Sequence, residues 1–177
     1  MPTEDLLGYG ARLFESERLR LRSTTEEDCE LLHTWWLDPL VMVLQSPDAA
    51  SLKDRDSIVS KFRDWSQVKD SGLGYSIALR ETNQLIGHVA LWGITPKDQC
   101  ANFGILINRE VWGQGYGTEA ILLVLRYSFK ELNLHRVQLE ASAENTRAIR
   151  CYQKAGSAKR AADDKLISVT ESGKTKS

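Results

Sequence analysis

The stretch ILINREVWGQGYGTEA, from Ile105 to Ala120, joins three apolar residues, a polar loop, a glycine-rich turn and a helix start. Gly113, Gly115 and Gly117 let the backbone bend tightly and bring its N–H groups against a ligand without side-chain obstruction. The helix that follows carries Ile121, Val124, Leu125 and Phe129 at helical spacing. Its N-terminus is the positive end of the macrodipole, so the junction suits a pyrophosphate. A P-loop would end in Gly-Lys-Ser/Thr, which is absent. A dinucleotide fingerprint would need a third glycine where Thr118 stands, within an early βαβ unit. A glycine-rich turn without a ligand is the remaining alternative.

Upstream, Cys100 to Ile107 is the strand that feeds this turn. Before it, Tyr75, Ile77 and Leu79 alternate, Glu81 to Gln84 form a turn, and Leu85 to Trp92 form a second apolar strand. Nearer the start, Arg18 to Arg22 alternates around Leu19 and Leu21, as a half-buried strand does. Thr24 stands three residues before Glu27, a capping-box spacing, and opens a helix through Leu31, Leu32, Trp35 and Trp36 that Pro39 stops. A second helix fits Ser51 to Lys69, with Ile58, Phe62 and Trp65 on one face. Downstream, His135 to Ala141 makes another strand, and Asn145 opens a last helix that ends near Gly156. The order predicts an α/β (α+β) domain over residues 1–156, with a mixed sheet flanked by helices.

Composition narrows the function classes. The chain has 177 residues, 42% of them apolar and 27% charged, with a net charge of −1, so no basic excess points to nucleic acid. Cys29, Cys100 and Cys151 are scattered without metal-ligand spacing, and reduced thiols in a cytoplasmic or nuclear protein account for them. The N-terminus lacks the basic and apolar blocks of a signal peptide, and no apolar run approaches a membrane span. The expectation is a cytoplasmic protein with no metal, membrane or nucleic-acid partner, as a monomer or homodimer.

Ile105 to Ala120 together with NTRAIRCYQKAG, Asn145 to Gly156, resembles the GNAT acetyltransferase superfamily, nearest the branch with the ribosomal-protein alanine acetyltransferases. The resemblance spans Arg18 to Gly156 and implies a mostly antiparallel sheet and acetyl-CoA as cofactor. The implied activity is transfer of acetyl to a primary amine, on a protein N-terminus or a small molecule, by direct attack. By position, Gln114, Gly115, Gly117 and Thr118 would hold the pyrophosphate, with Gly113 completing the turn. Leu106 and Ile107 would pair with the pantetheine arm as an added strand does. Asn145 would bond the cofactor near the pantetheine, or simply cap its helix. Tyr152 matches the tyrosine that protonates the departing thiolate, against a bland reading as a core aromatic. Trp112 stands where the superfamily often has Arg or Gln.

The base is poorly marked. Many relatives carry Glu where Asn102 stands, and an amide cannot take a proton. Glu119 fits the favourable charge position in a first helical turn. Glu140 is the other nearby carboxylate, His88 suits a packed position, and no base is assigned. Cys151 points about 100° away from Tyr152 around the helix, so it is not proposed as a nucleophile. After Gly156 relatives continue with two more strands. Residues 157–177 are polar and charged here, with only Leu166, Ile167 and Val169 as large apolar residues. The expectation is a disordered tail, two missing strands, and an uncovered sheet that invites self-association. Asn102 and the missing strands favour the rival function, an inactive acyl-CoA-binding or interaction module.

Overall fold

Thr25 stops the chain in an extended conformation and turns it into α2 (Glu26–Trp36). Its side chain accepts from the Asp28 N–H, and the Asp28 carboxylate accepts from the Thr25 N–H. This capping box sits one residue later than the Thr24–Glu27 pair the spacing suggested. Asp28 is buried, and its carboxylate also receives Arg22 Nη2 at 2.9 Å and Ser76 Oγ at 2.9 Å. Burial alone would raise its pKa. The Arg22 guanidinium, the Thr25 N–H and the Ser76 hydroxyl outweigh that and hold it below the ordinary carboxylate range. One buried carboxylate thus ties a helix start to two strands.

The computed structural model describes residues 3–45, 50–142, 144–156, 158–159 and 166–170. Before α2 come α1 (Thr3–Ala11), which the sequence reading did not foresee, and β1 (Leu19–Arg22). After it, α3 (Pro39–Gln45) starts where a stop was expected. Proline ends one helix yet suits the first position of the next, where its missing N–H costs nothing. Then follow α4 (Arg55–Trp65), capped by Asp54, and the meander β2 (Gly72–Leu79), β3 (Leu85–Thr95) and β4 (Cys100–Ile107). A single 3₁₀ turn (Arg109–Val111) leads to α5 (Tyr116–Lys130), β5 (Arg136–Glu140) and α6 (Thr146–Lys154). No helix among the described residues is long and apolar enough to cross a membrane.

Among the described residues the sheet has seven strands in the order β1-β2-β3-β4-β5-β7-β6, with β6 at Ala158–Lys159 and β7 at Leu166–Thr170. Only β4 and β5 run parallel. This corrects the expectation of two missing strands and a tail beginning at residue 157. β7 pairs antiparallel with the whole of β5, from Arg136↔Thr170 to Glu140↔Leu166. Five residues are an ordinary strand length once a partner edge supplies the ladder, and a long alternating apolar run is not required. The premise of an uncovered β5 edge therefore falls. The rest of the expected tail lies outside the described residues.

Helices cover both faces. On one, Ile121, Val124 and Leu125 of α5 pack with Ile77, Val89, Val137 and Leu139. On the other, Cys29 and Leu32 of α2 and Ile58, Val59 and Phe62 of α4 pack over Leu85 and Leu106. Between these two cores the middle strands of the sheet part.

Candidate functional site

β4 and β5 pair from Cys100↔Arg136 to Phe103↔Leu139 and no further. Beyond Phe103 the strands separate, so Gly104 to Ile107 have β3 on one side and a gap on the other. Strand parity decides which backbone groups face the gap. The Asn108 N–H bonds the Ile86 carbonyl of β3, which turns the even residues toward β3. Ile105 and Ile107 therefore face the gap, whereas the backbone of Leu106 does not. Both gap-facing carbonyls are engaged: Gln45 Nε2 donates to Ile105 O at 2.8 Å, and Trp112 Nε1 donates to Ile107 O at 2.9 Å. Their N–H groups find no acceptor outside the strand ladder among the described residues and stand as strand-edge donors.

The glycine-rich turn lies at one end of the gap. Gly113 and Gly115 have φ of +79° and +84°, the left-handed region that suits glycine. Gly115 is the N-cap of α5 and offers no side chain. No backbone acceptor among the described residues takes the N–H groups of Gln114, Gly115, Gly117 or Thr118. Four donors at the positive end of a helix thus stand without a backbone acceptor among the described residues. Arg18 holds the turn in place: Nη1 donates to the Gln114 carbonyl at 3.0 Å, and Nε pairs with Glu119 Oε2 at 2.7 Å. Ser16 Oγ and the Arg18 N–H also bond Glu119. Burial works to raise the Glu119 pKa, but these donors win and keep it low. Glu119 is committed to the scaffold.

A cavity of about 240 Å³ stands over this turn, bounded on its far side by Arg147, Arg150 and Lys154 of α6. The Arg147 guanidinium stacks 3.7 Å from the Trp112 ring centroid, and its Nε has no hydrogen-bond partner among the described residues. Burial lowers its pKa, the cost of holding a cation without a counter-charge. The sequence reading missed these three cations. Their signal is plain in hindsight, a basic stripe along one face of the helix that follows Asn145. Donors, cations and a half-buried unpaired guanidinium together suit a polyanion such as a pyrophosphate.

From there a narrow passage of about 60 Å³, lined by Ile105, Ile107, Gly117, Asn145 and Cys151, reaches Tyr152 and Glu140. Asn145 caps α6 through its side chain, which accepts from the Ala148 N–H at 3.1 Å. Its Nδ2 makes a long 3.5 Å contact to the Leu44 carbonyl. Tyr152 is buried, and its hydroxyl bonds no described residue. Burial, with Cys151 adding and Arg147 opposing, pushes its pKa up to about 12. Tyr152 and Glu140 also line a larger cavity, of about 440 Å³, on the other side of the sheet.

That second cavity contains His88, which is buried and edge-on to Phe62 at 5.4 Å. Ser66 Oγ donates to the Phe62 carbonyl at 2.7 Å, so it accepts from His88 Nε2 at 2.8 Å. The ring is the neutral Nε2–H tautomer. Burial, partly opposed by Asp28, lowers its pKa to about 4, too weak a base for work at neutral pH. Asn102 pairs with Trp92 and Gln138 along the strands and lines neither cavity.

A sequence profile described as an acetyltransferase (GNAT) domain matches residues 18–158. An "Uncharacterized N-acetyltransferase p20" of Bacillus licheniformis is 29% identical over 139 residues, 76% of either chain. The spermidine N(1)-acetyltransferase of Escherichia coli (strain K12) is 28% identical over 145 residues, 82% of this chain and 70% of that one. Among solved structures, spermidine N-acetyltransferase from Vibrio cholerae in complex with CoA and spermine has the same fold. Its TM-score is 0.74 at 22% identity, covering 89% of this chain and 98% of that one. The profile spans most of the sequence, and the parted middle strands, the glycine-rich turn and the flanking helices lie within it: the chain belongs to the GNAT acetyltransferase family.

Proposed function

We propose that this protein is an acetyl-CoA-dependent N-acetyltransferase that passes the acetyl group to a primary amine by direct attack, without an acetyl-enzyme. The observation that carries the reading is the position of Tyr152. It is buried where the passage from the anion-binding turn opens into the second cavity, and its hydroxyl bonds no described residue.

The residues present fit the cofactor. Gln114, Gly115, Gly117 and Thr118 offer backbone donors to its pyrophosphate, and nothing lies within 4 Å of where a Gly113 side chain would begin. Arg147, Arg150 and Lys154 supply the counter-charge to its phosphates. Ile107 and, in place of Leu106, Ile105 offer the strand edge to its pantetheine arm, and Leu106 contributes its side chain to the second cavity. Asn145 keeps its cap and presents Nδ2 at the passage. Bound acetyl-CoA supplies an activated thioester whose carbonyl carbon the amine nitrogen attacks as the carbon–sulfur bond breaks.

The chain supplies the proton traffic. With a pKa pushed up to about 12, Tyr152 keeps its proton at neutral pH and gives it to the sulfur as negative charge develops there. The acceptor nitrogen, drawn in as an ammonium, gives one proton to solvent before it attacks, and the phenol then recovers its own proton from the acylated nitrogen. Glu140 is the one carboxylate among the described residues that lines both cavities, and it draws the cationic end of the acceptor toward Tyr152.

The test is thiol release against a panel of primary amines. Tyr152→Phe should lower kcat by about 10²-fold or more while leaving acetyl-CoA affinity unchanged, since the ring packing is kept. Wild-type turnover in that variant returns Tyr152 to the core. Acetyl-CoA binding without release from any amine selects the inactive binding module instead.

A further inference from the structure

The second cavity carries information about the acceptor. Its walls are Trp36, Phe62, Trp65 and Trp92, with Ala90, Gly104 and Leu106 on the sheet. Trp36, Phe62 and Trp65 lock together at ring-centroid distances of 5.3 to 5.7 Å, so one wall is rigid and aromatic. Another wall is the Trp92 ring, laid over the bare backbone of Gly104: a Cβ there would stand 3.0 Å from Trp92 Cζ3. Trp92 is 49% exposed, which places it at the mouth.

The polar groups in this cavity are mostly spoken for. His88 is neutral and bound to Ser66, and Gln45 donates to the Ile105 carbonyl. Tyr152 is neutral and stands at the reacting end. Glu140 is the one formal charge among the described lining residues. One carboxylate compensates one ammonium. Every further cation brought in would lose its water without a partner, and aromatic faces repay that only in part. A flat apolar body, in contrast, gains from leaving water for such walls, and about 440 Å³ accommodates a ring with a short arm.

Resting on the acetyl-transfer reading above, we propose that the acceptor is a monoamine: a primary amine on a short arm from a single aromatic or flat apolar body. The ammonium end lies at Glu140 beside Tyr152, and the ring lies between Trp92 and the Trp36–Trp65 wall. A polyamine, with its several charges, is not the acceptor.

The experiment measures binding of 2-phenylethylamine, spermidine and a hydrophilic tripeptide with a free N-terminus by calorimetry, in excess CoA. Thiol release from acetyl-CoA is measured with the same three amines. 2-Phenylethylamine should bind at least about tenfold more tightly than the other two and show a similar advantage in kcat/KM. Trp92→Ala, half-exposed and therefore safe for folding, should lower that affinity about tenfold while CoA and spermidine binding stay as they were. Equal or tighter binding of spermidine or of the tripeptide overturns the proposal, as does an unchanged arylamine affinity in Trp92→Ala. Because binding is read without turnover, failure of every amine to release thiol overturns the acetyl-transfer reading alone. The calorimetric ranking still decides the acceptor class.

Discussion

Lowering the pH should weaken this fold through His88 before carboxylates dominate. In the unfolded chain His88 takes up a proton below its ordinary value of 6.5, whereas in the folded protein it stays neutral down to about 4. The unfolded state thus binds the extra proton in that window, so this contribution is complete above pH 6.5 and is lost as pH falls toward 4. At about 1.4 kcal/mol per pH unit, the interval amounts to about 3 kcal/mol, a large share of an ordinary domain's stability. The perturbation is His88→Gln, which keeps a donor for Ser66 and removes the titration. Urea unfolding followed by tryptophan fluorescence, at several pH values from 7.5 to 4, gives stability against pH for both proteins. The variant should be less stable at pH 7.5 through lost packing. Wild type should then fall by about 3 kcal/mol more than the variant on the way to pH 4. Carboxylates common to both proteins cancel in that comparison. Parallel curves would refute the reasoning and show that His88 is hydrated enough to titrate normally.

Two further outcomes test the anion site. Gly115→Val places a β-branched residue at φ +84° with its Cβ 3.3 Å from Arg18 Nη2, and should weaken acetyl-CoA binding by about tenfold or more in calorimetry, whereas Gln114→Ala should change it little. Arg147→Met, which keeps bulk against Trp112 and removes the charge, should weaken acetyl-CoA binding and flatten its salt dependence; an unchanged salt dependence would place that cation outside the site.

What was legible in the sequence is what is local. The meander strands alternate over their own length, and the glycines of the turn announce a bend whatever surrounds them. Pro39 was ambiguous for a physical reason, since the same ring ends one helix and begins the next. β7 was missed because LISVT is too short to declare itself: its ladder is supplied by β5, remote in sequence. The choice between Leu106 and Ile105 turned on strand parity, which only the pairing of Asn108 with Ile86 fixes. Arg147, Arg150 and Lys154 stood at readable spacing, but nothing local says that a helix face looks onto a turn some thirty residues earlier in the chain. Glu140 gained interest for a similar reason, since only the assembled sheet places it at both cavities.

The parting of β4 and β5 also has a consequence for assembly. β2, β3 and β4 are joined by short turns, so their ladders form between near neighbours in the chain. β5 reaches β4 only after the whole of α5 has been laid across the sheet, and the chain must close that long loop before the parallel pairing rewards it. The split therefore lies on the boundary between an early-forming, locally wired half and a late-docking half. Tyr152 and the cations of α6 arrive with the second half, and Ile105 and Ile107 wait on the first. An opening of the molecule along this boundary would widen the mouth of the site while leaving the meander intact.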